Sequence, residues 1–197
     1  QHFIDIGNRL IFNFLLPVLL IYKISASDFF NLFNREVMVV IFLSIIAMFF
    51  ISWIISKAMK LPGRSVGTFV MNTFRGNFAY LALPISYYAY GETGLAVASI
   101  MMAFCVPLVN VLSVVALNLN TGASFSLKML LRNTLLNPLV IACAIGVFLA
   151  LLRIELPGFI VQTLSIISGI TLPLALFAIG ATIDVRQMKG NFSVMTA

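Results

Sequence analysis

The run Asn72-Thr73-Phe74-Arg75-Gly76-Asn77-Phe78-Ala79-Tyr80-Leu81-Ala82-Leu83-Pro84 holds the densest set of groups that could hold a ligand. It sits inside an otherwise apolar stretch, residues 66–90. An Asn amide both donates and accepts, so Asn72 and Asn77 can hold a carboxylate without carrying charge. Arg75 falls roughly 13 Å into the stretch at 1.5 Å per residue. Gly76 has access to backbone angles closed to other residues, and Pro84 leaves a carbonyl without its helical donor. The parts before Arg75 and after Asn77 are each too short to cross a membrane alone. This predicts a discontinuous helix whose halves meet at Gly76-Asn77, with the free N–H groups of a half-helix start open to an anion. Asn72, Arg75, Gly76, Asn77 and Pro84 are therefore candidate substrate-binding residues. A continuous helix kinked at Pro84, with Arg75 reaching the cytoplasmic surface, is the plainer alternative.

A second polar spot is Arg132-Asn133-Thr134-Leu135-Leu136-Asn137-Pro138. Asn137 and Pro138 join the candidate substrate-binding residues. Asn followed by Pro is also an ordinary helix start, so a purely structural role is the stronger reading for them. Asn110, after Pro107, is a lone amide in an apolar run and reads as a bond between helices rather than a ligand group. Thr171, Gly180 and Thr182 read as close-packing residues.

Catalytic chemistry finds little support. His2 is the sole histidine, and the six acids Asp5, Asp28, Glu36, Glu92, Glu155 and Asp184 all lie at the edges of apolar runs. That leaves no buried carboxylate pair for acid–base work and no Ser or Cys beside a His. Cys105 and Cys143 sit inside apolar runs without metal-ligand spacing and read as inert buried thiols. The chain is read as not an enzyme, with no cofactor and no metal.

The elements that must position these residues are membrane helices. Of 197 residues, 61% are hydrophobic and 9% charged, far below the roughly 25% charged of a soluble domain. Mean hydropathy is +1.10. Apolar runs near the length needed to cross a bilayer recur at 8–24, 37–56, 66–90, 95–117, 130–152 and 159–183. Period-two alternation is absent, so the fold class is all-α: a polytopic membrane protein of about six transmembrane helices. The net charge of +6 sits almost wholly between the runs, which argues against nucleic acid as a partner. Arg9, Lys57, Lys60, Arg64, Lys128, Arg132, Arg186 and Lys189 fall on one side and Lys23, Arg35 and Arg153 on the other. By the positive-inside rule the first side, with both chain ends, is cytoplasmic. The chain begins at Gln1 without a signal-peptide pattern, so a piece of a longer protein is expected.

Leu16-Pro17-Val18-Leu19-Leu20 in the first run matches Leu172-Pro173-Leu174-Ala175-Leu176 in the sixth. The copies are an odd number of crossings apart and would run in opposite directions, as an inverted repeat requires.

Four stretches together resemble the auxin efflux carrier family, bacterial and plant transporters that include the PIN-type auxin exporters. They are 8–20, 72–84, Arg132-Asn133 through Asn137-Pro138, and the LPLALFAIGAT of 172–182. The resemblance implies a ten-helix carrier of two inverted five-helix repeats. In it a scaffold of helices one, two, six and seven supports a mobile transport domain, and the broken fourth and ninth helices cross mid-membrane. The six runs look like helices two to seven. Residues 1–118 would hold helices two to five, with 8–24 in the scaffold and 37–117 in the transport domain. Residues 119–197 would open the second repeat. Asn77 matches the substrate-contacting Asn of the family's Pro-Asn pair, with Gly76 in place of the Pro. The partner Asn would lie beyond Ala197. The implied function is secondary transport of a small organic anion, malate-like or auxin-like, across the plasma membrane, for a bacterial chain the inner membrane, by alternating access. Membrane lipid is the surrounding partner. Proton or sodium coupling, through Asp184 or elsewhere, and a homodimer stay open. So does a six-helix channel or structural membrane protein without transport activity.

Overall fold

A computed structural model describes residues 2–118, 132 and 134–182, of which 3 and 64 enter through the backbone alone. The described residues form helices and connecting turns, with no strand among them. Helix α1 is continuous over His2–Leu10, a π-turn Ile11–Leu15, and Leu16–Ser25. A single turn, α2 (Phe29–Leu32), follows, with the Asp28 carboxylate accepting the Asn31 N–H at its start. Helix α3 is Arg35–Ala58, opened by Asn34, whose Oδ1 accepts the Val37 N–H at 3.1 Å. Helix α4 is Gly63–Phe74. The next, α5, covers 78–90 and begins with a π-turn, Phe78–Ala82. Helix α6 covers 92–118, α7 is Pro138–Leu151, and α8 is Gly158–Thr182.

Among the described residues, four helical stretches are long and apolar enough to cross a membrane: Ile4–Ser25, Arg35–Ala58, Ser65–Asn118 and Gly158–Thr182. The third, at 54 residues, is too long for one crossing and doubles back at Gly91. Gly91 has φ +62° and ψ −150°, a conformation essentially reserved for glycine. Its two arms then run antiparallel. Gly67 meets the Ala116 backbone so closely that a Cβ would stand 2.7 Å from the carbonyl oxygen, and Ala82 shares a small cavity with Met101 and Met102. Helix α7, 14 residues, reaches about 21 Å, and a helical turn at 134–135 precedes it.

The sequence expectation of apolar helices is therefore met at 8–24, 37–56, 66–90, 95–117 and 159–182, and for the fifth run over Pro138–Leu151. Residues 119–131, 133 and 183–197 lie outside the described residues, and with them Lys128, Asn133, Asp184, Arg186 and Lys189.

Two apolar cores organise the bundle. One gathers α1, α7, α8 and the facing sides of α5 and α6 around Leu16, Leu19, Leu20, Ile100, Cys143 and Ala175. The other gathers α3, α4 and the opposite side of α6 around Phe49, Val70, Phe74, Val109 and Ala116. Helices α1 and α7 run parallel: Phe12 lies near Leu139, and Gly146 packs on Leu20 and Ile24. Helix α8 runs antiparallel to α1. The Thr171 hydroxyl donates to the Leu15 carbonyl at 3.3 Å, which brings the two Leu-Pro segments of the sequence repeat side by side.

Candidate functional site

The predicted break is present. Helix α4 ends at Phe74, residues 75–77 are non-helical, and α5 starts at Phe78. Backbone freedom at Gly76 does not make the turn, contrary to the sequence argument. Among the described residues only Gly91 is a glycine with positive φ. The chain changes direction instead at Arg75 (φ −86°, ψ 80°) and Asn77 (φ −82°, ψ 71°), angles open to ordinary residues. Asn77 then caps α5: its Oδ1 accepts the Tyr80 N–H at 3.1 Å. The first N–H groups of the helix, those of Phe78 and Ala79, have no intrahelical acceptor.

Both π-turns precede a Leu-Pro pair, and the reason is steric. A proline ring clashes with the carbonyl four residues back and offers that carbonyl no N–H. Widening the preceding turn to i→i+5 bonding relieves the clash. The Leu16 N–H goes to the Ile11 carbonyl before Pro17, and the Leu83 N–H to the Phe78 carbonyl before Pro84. The carbonyls of Phe12 and Ala79 thereby lose their regular helical donors.

Phe12 and Ala79 line one cavity of about 310 Å³ between the two cores, in the size range where small-molecule sites begin. Arg75, Gly76, Asn77, Phe78 and Tyr80 bring the break to its wall. Met102, Val106, Val109 and Asn110 come from α6, and Asn137 and Leu139 from the start of α7. Asn137 repeats the design of Asn77. Its Oδ1 accepts the Leu139 N–H at 2.9 Å, with Pro138 at the first helical position. In both amides the oxygen is held by a cap, and the NH₂ end remains as donor. The Arg75 guanidinium has an exposed, weak contact to Met71 Sδ at 3.9 Å. Among the described residues, none of those lining the cavity is an Asp or Glu. The Tyr80 hydroxyl donates to the Asn8 carbonyl at 3.4 Å and ties α5 to α1.

Of the sequence candidates, then, the cavity brings together Arg75, Gly76, Asn77 and Asn137. Asn72 is exposed on α4 outside the lining. Pro84 is fully buried and acts through the backbone, and Pro138 starts α7 without lining the cavity. Sequence reasoning missed Phe12 and Tyr80, and read Asn110 first as a bond between helices. The Asn110 amide does not form the interhelical bond expected of it: its Nδ2 is shielded and has no partner. Thr134 Oγ1, one turn before Asn137, is likewise shielded and unpartnered.

A larger cavity, about 600 Å³, opens where α1 and α7 end, beside α2. It carries charges of both signs already in use or exposed. Asp28 caps α2, and Arg153 lies 5.8 Å over the Phe30 ring. The cavity at the helix break has the more selective chemistry.

A broken, capped membrane helix and a second capped helix that meet at one small cavity fit a polytopic membrane transporter. A family of membrane transport proteins matches the chain over residues 5–125 and 120–197. The chain belongs to this family, the auxin efflux carrier family that its motifs resemble. It is also 27% identical over 158 residues to an uncharacterized transporter of Methanocaldococcus jannaschii, covering 77% of this chain and 50% of the relative. The chain thus spans about half the length of the curated relative it matches. No solved structure matches it.

Proposed function

We propose that the chain contributes the substrate cavity of a secondary transporter. It carries a small organic anion, a carboxylate such as malate or an auxin-like acid, across the plasma membrane by alternating access. The observation that carries this reading is the pair of capped amides. Capping commits Oδ1 of Asn77 and Asn137 to backbone N–H groups, so each amide faces the cavity as a donor. The open N–H groups of Phe78 and Ala79 and the Arg75 charge add to the same sign of potential. A lining with donors, one cation and no carboxylate favours an anion.

Alternating access fits the division into two apolar cores with the cavity between them. The core of α1, α7 and α8 corresponds to the scaffold, and α3 to α6 to the transport domain. The inverted repeat gains support from the antiparallel packing of Leu16-Pro17 on Leu172-Pro173 through Thr171. With both ends cytoplasmic, the break lies within the membrane and the Gly91 turn faces outward.

The test is Asn77→Ala in the protein as expressed from its gene, purified and reconstituted in liposomes, with uptake of radiolabelled malate and indole-3-acetate. Losing a hydrogen bond to a charged ligand lowers affinity about 10- to 100-fold. Uptake and binding equal to the unaltered protein overturn the site.

A further inference from the structure

The geometry points to Asn110 as a third ligand amide, donating to the anion alongside Asn77 and Asn137 and selecting ligands by their acceptor atoms. This rests on the reading of the cavity as a carboxylate site. Three observations carry it.

Asn110 lies in the cavity wall on α6, across from the break and the start of α7. Its Nδ2 is shielded from solvent without any hydrogen-bond partner, an arrangement that is costly unless something completes it. Its helix neighbours show that this is not forced by position. Ser99 donates to the Leu95 carbonyl, Ser113 to the Val109 carbonyl and Asn118 Nδ2 to the Val114 carbonyl, each at 2.7 Å. All three bond back one turn along α6, as polar side chains in apolar helices do. Asn110 could reach the Val106 carbonyl in the same way, and its amide is held off it.

Asn110 lines the cavity, and a half-turn about the last side-chain bond exchanges the two ends of its amide, so that Nδ2 can be the end offered to a ligand. A carboxylate has about four lone-pair sites, enough for three amide donors at once. Asn77 and Asn110 both belong to the α4–α6 part of the molecule and Asn137 to the α1–α7 part. Asn110 would therefore stay with the ligand when the two parts separate.

The test uses equilibrium binding of radiolabelled malate and indole-3-acetate to the purified protein as expressed from its gene. Two variants are compared, together with their unfolding midpoints. Asn110→Leu keeps the branched outline of the side chain, with somewhat more bulk, and removes the donor. It is expected to bind whichever probe the unaltered protein binds about 10- to 100-fold more weakly. Its ligand-free midpoint should be unchanged or higher, because an unpartnered buried amide has been removed. Asn110→Asp sets a carboxylate against the ligand. Its affinity is expected to be lowest at alkaline pH and to recover in mild acid, where a buried carboxyl takes up a proton and donates an O–H. Asn110→Leu with undiminished affinity overturns the assignment and leaves the Asn77 site standing. A lowered midpoint, with binding lost only in step with folded protein, also overturns it and makes Asn110 structural. Unaltered protein that binds neither probe overturns this assignment and the anion reading together.

Discussion

In α1 the π-turn Ile11–Leu15 is followed by Leu16-Pro17, and in α5 the π-turn Phe78–Ala82 is followed by Leu83-Pro84. Both turns divert the leucine N–H to the carbonyl five residues back, and both leave a wall residue of the cavity, Phe12 or Ala79, with a released carbonyl. What enters the turn differs. Helix α1 arrives unbroken, with Leu10 in helical geometry and without a side-chain cap. Its nearby amide, Asn13, is exposed and donates back to the Arg9 carbonyl at 3.0 Å. Helix α5 arrives from a three-residue break, capped by Asn77. A proline in a membrane helix supplies acceptors. A break with a capping amide supplies donors, and donors are what an anion needs.

The sharpest way to break this comparison is to exchange the fates of its two amides. Asn77→Ala removes the cap and the proposed ligand donor at once. It is expected to weaken carboxylate binding by about 1.5–3 kcal/mol and to lower stability by about 1 kcal/mol for the lost cap. Asn13→Ala loses one exposed back-bond and is expected to leave binding within about twofold, with stability changed by less than about 0.5 kcal/mol. Binding titrations and unfolding midpoints on both variants check it. Equal effects would mean that the break confers nothing on α5.

Next in size is the turn that holds α5 against α6. Gly91→Ala forces a Cβ into a backbone conformation that costs of order 1–3 kcal/mol, although nothing lies within 4 Å to obstruct the methyl itself. The expectation is a lower unfolding midpoint with the ligand contacts unaltered. Gly76→Ala is the counterpart at the break. There φ is not positive, and the added Cβ would meet only the Phe78 ring at an ordinary 3.4 Å. Binding and midpoint are expected to stay close to those of the unaltered protein. A large loss at Gly76 and none at Gly91 would reverse the backbone argument.

This pair of glycines also measures what the sequence disclosed. Six apolar runs, the break and the place of Asn77 in the cavity wall were legible because run length and a polar cluster inside a run survive in a linear reading. Gly76 looked like the hinge because glycine can turn, but the turn is made by Arg75 and Asn77 and by the cap. Asn72 and Asn77 looked equivalent, yet helix α4 carries Asn72 away from the cavity and only Asn77 starts the next helix. Phe12 and Val106 were not legible as wall residues, and Asn110 read first as a bond between helices. In a membrane protein an apolar residue facing lipid and one facing a cavity have the same composition. The π-turns were hidden as well: Leu-Pro announces a lost hydrogen bond, but not that the preceding turn widens to accommodate it.

Substituting the prolines tests whether the two turns are alike as backbone. Pro17→Ala and Pro84→Ala each restore an N–H and remove the ring, so each helix can close to regular bonding. The two are expected to shift the unfolding midpoint in the same direction and by similar amounts, about 1 kcal/mol each. Their effects on ligand should part. Pro84→Ala acts on the helix whose start is proposed to hold the carboxylate and is expected to weaken binding severalfold, whereas Pro17→Ala leaves it nearly unaltered. Opposite signs of the stability change would show that the shared hydrogen-bond pattern hides different strain.

The smallest expected effect lies at the far ends of the same two helices. Lys23, near the end of α1, and Glu92, one residue past the Gly91 turn, form an ion pair at 2.5 Å. Lys23 is well covered, with its ammonium 4.7 Å from the Tyr22 ring centre, while Glu92 is largely exposed. A pair with one exposed partner contributes about 0.2–1 kcal/mol and is screened by salt. Glu92→Gln is therefore expected to lower the midpoint slightly at low ionic strength and not at all at high. Carboxylate affinity should be untouched, because the pair lies at the opposite ends of α1 and α5 from the cavity and the donors lie at the break. If Glu92→Gln instead changes affinity, the ends and the middles of α1 and α5 are coupled. The contrast between an acceptor-bearing helix and a donor-bearing one would then belong to the whole length of both helices rather than to their two π-turns.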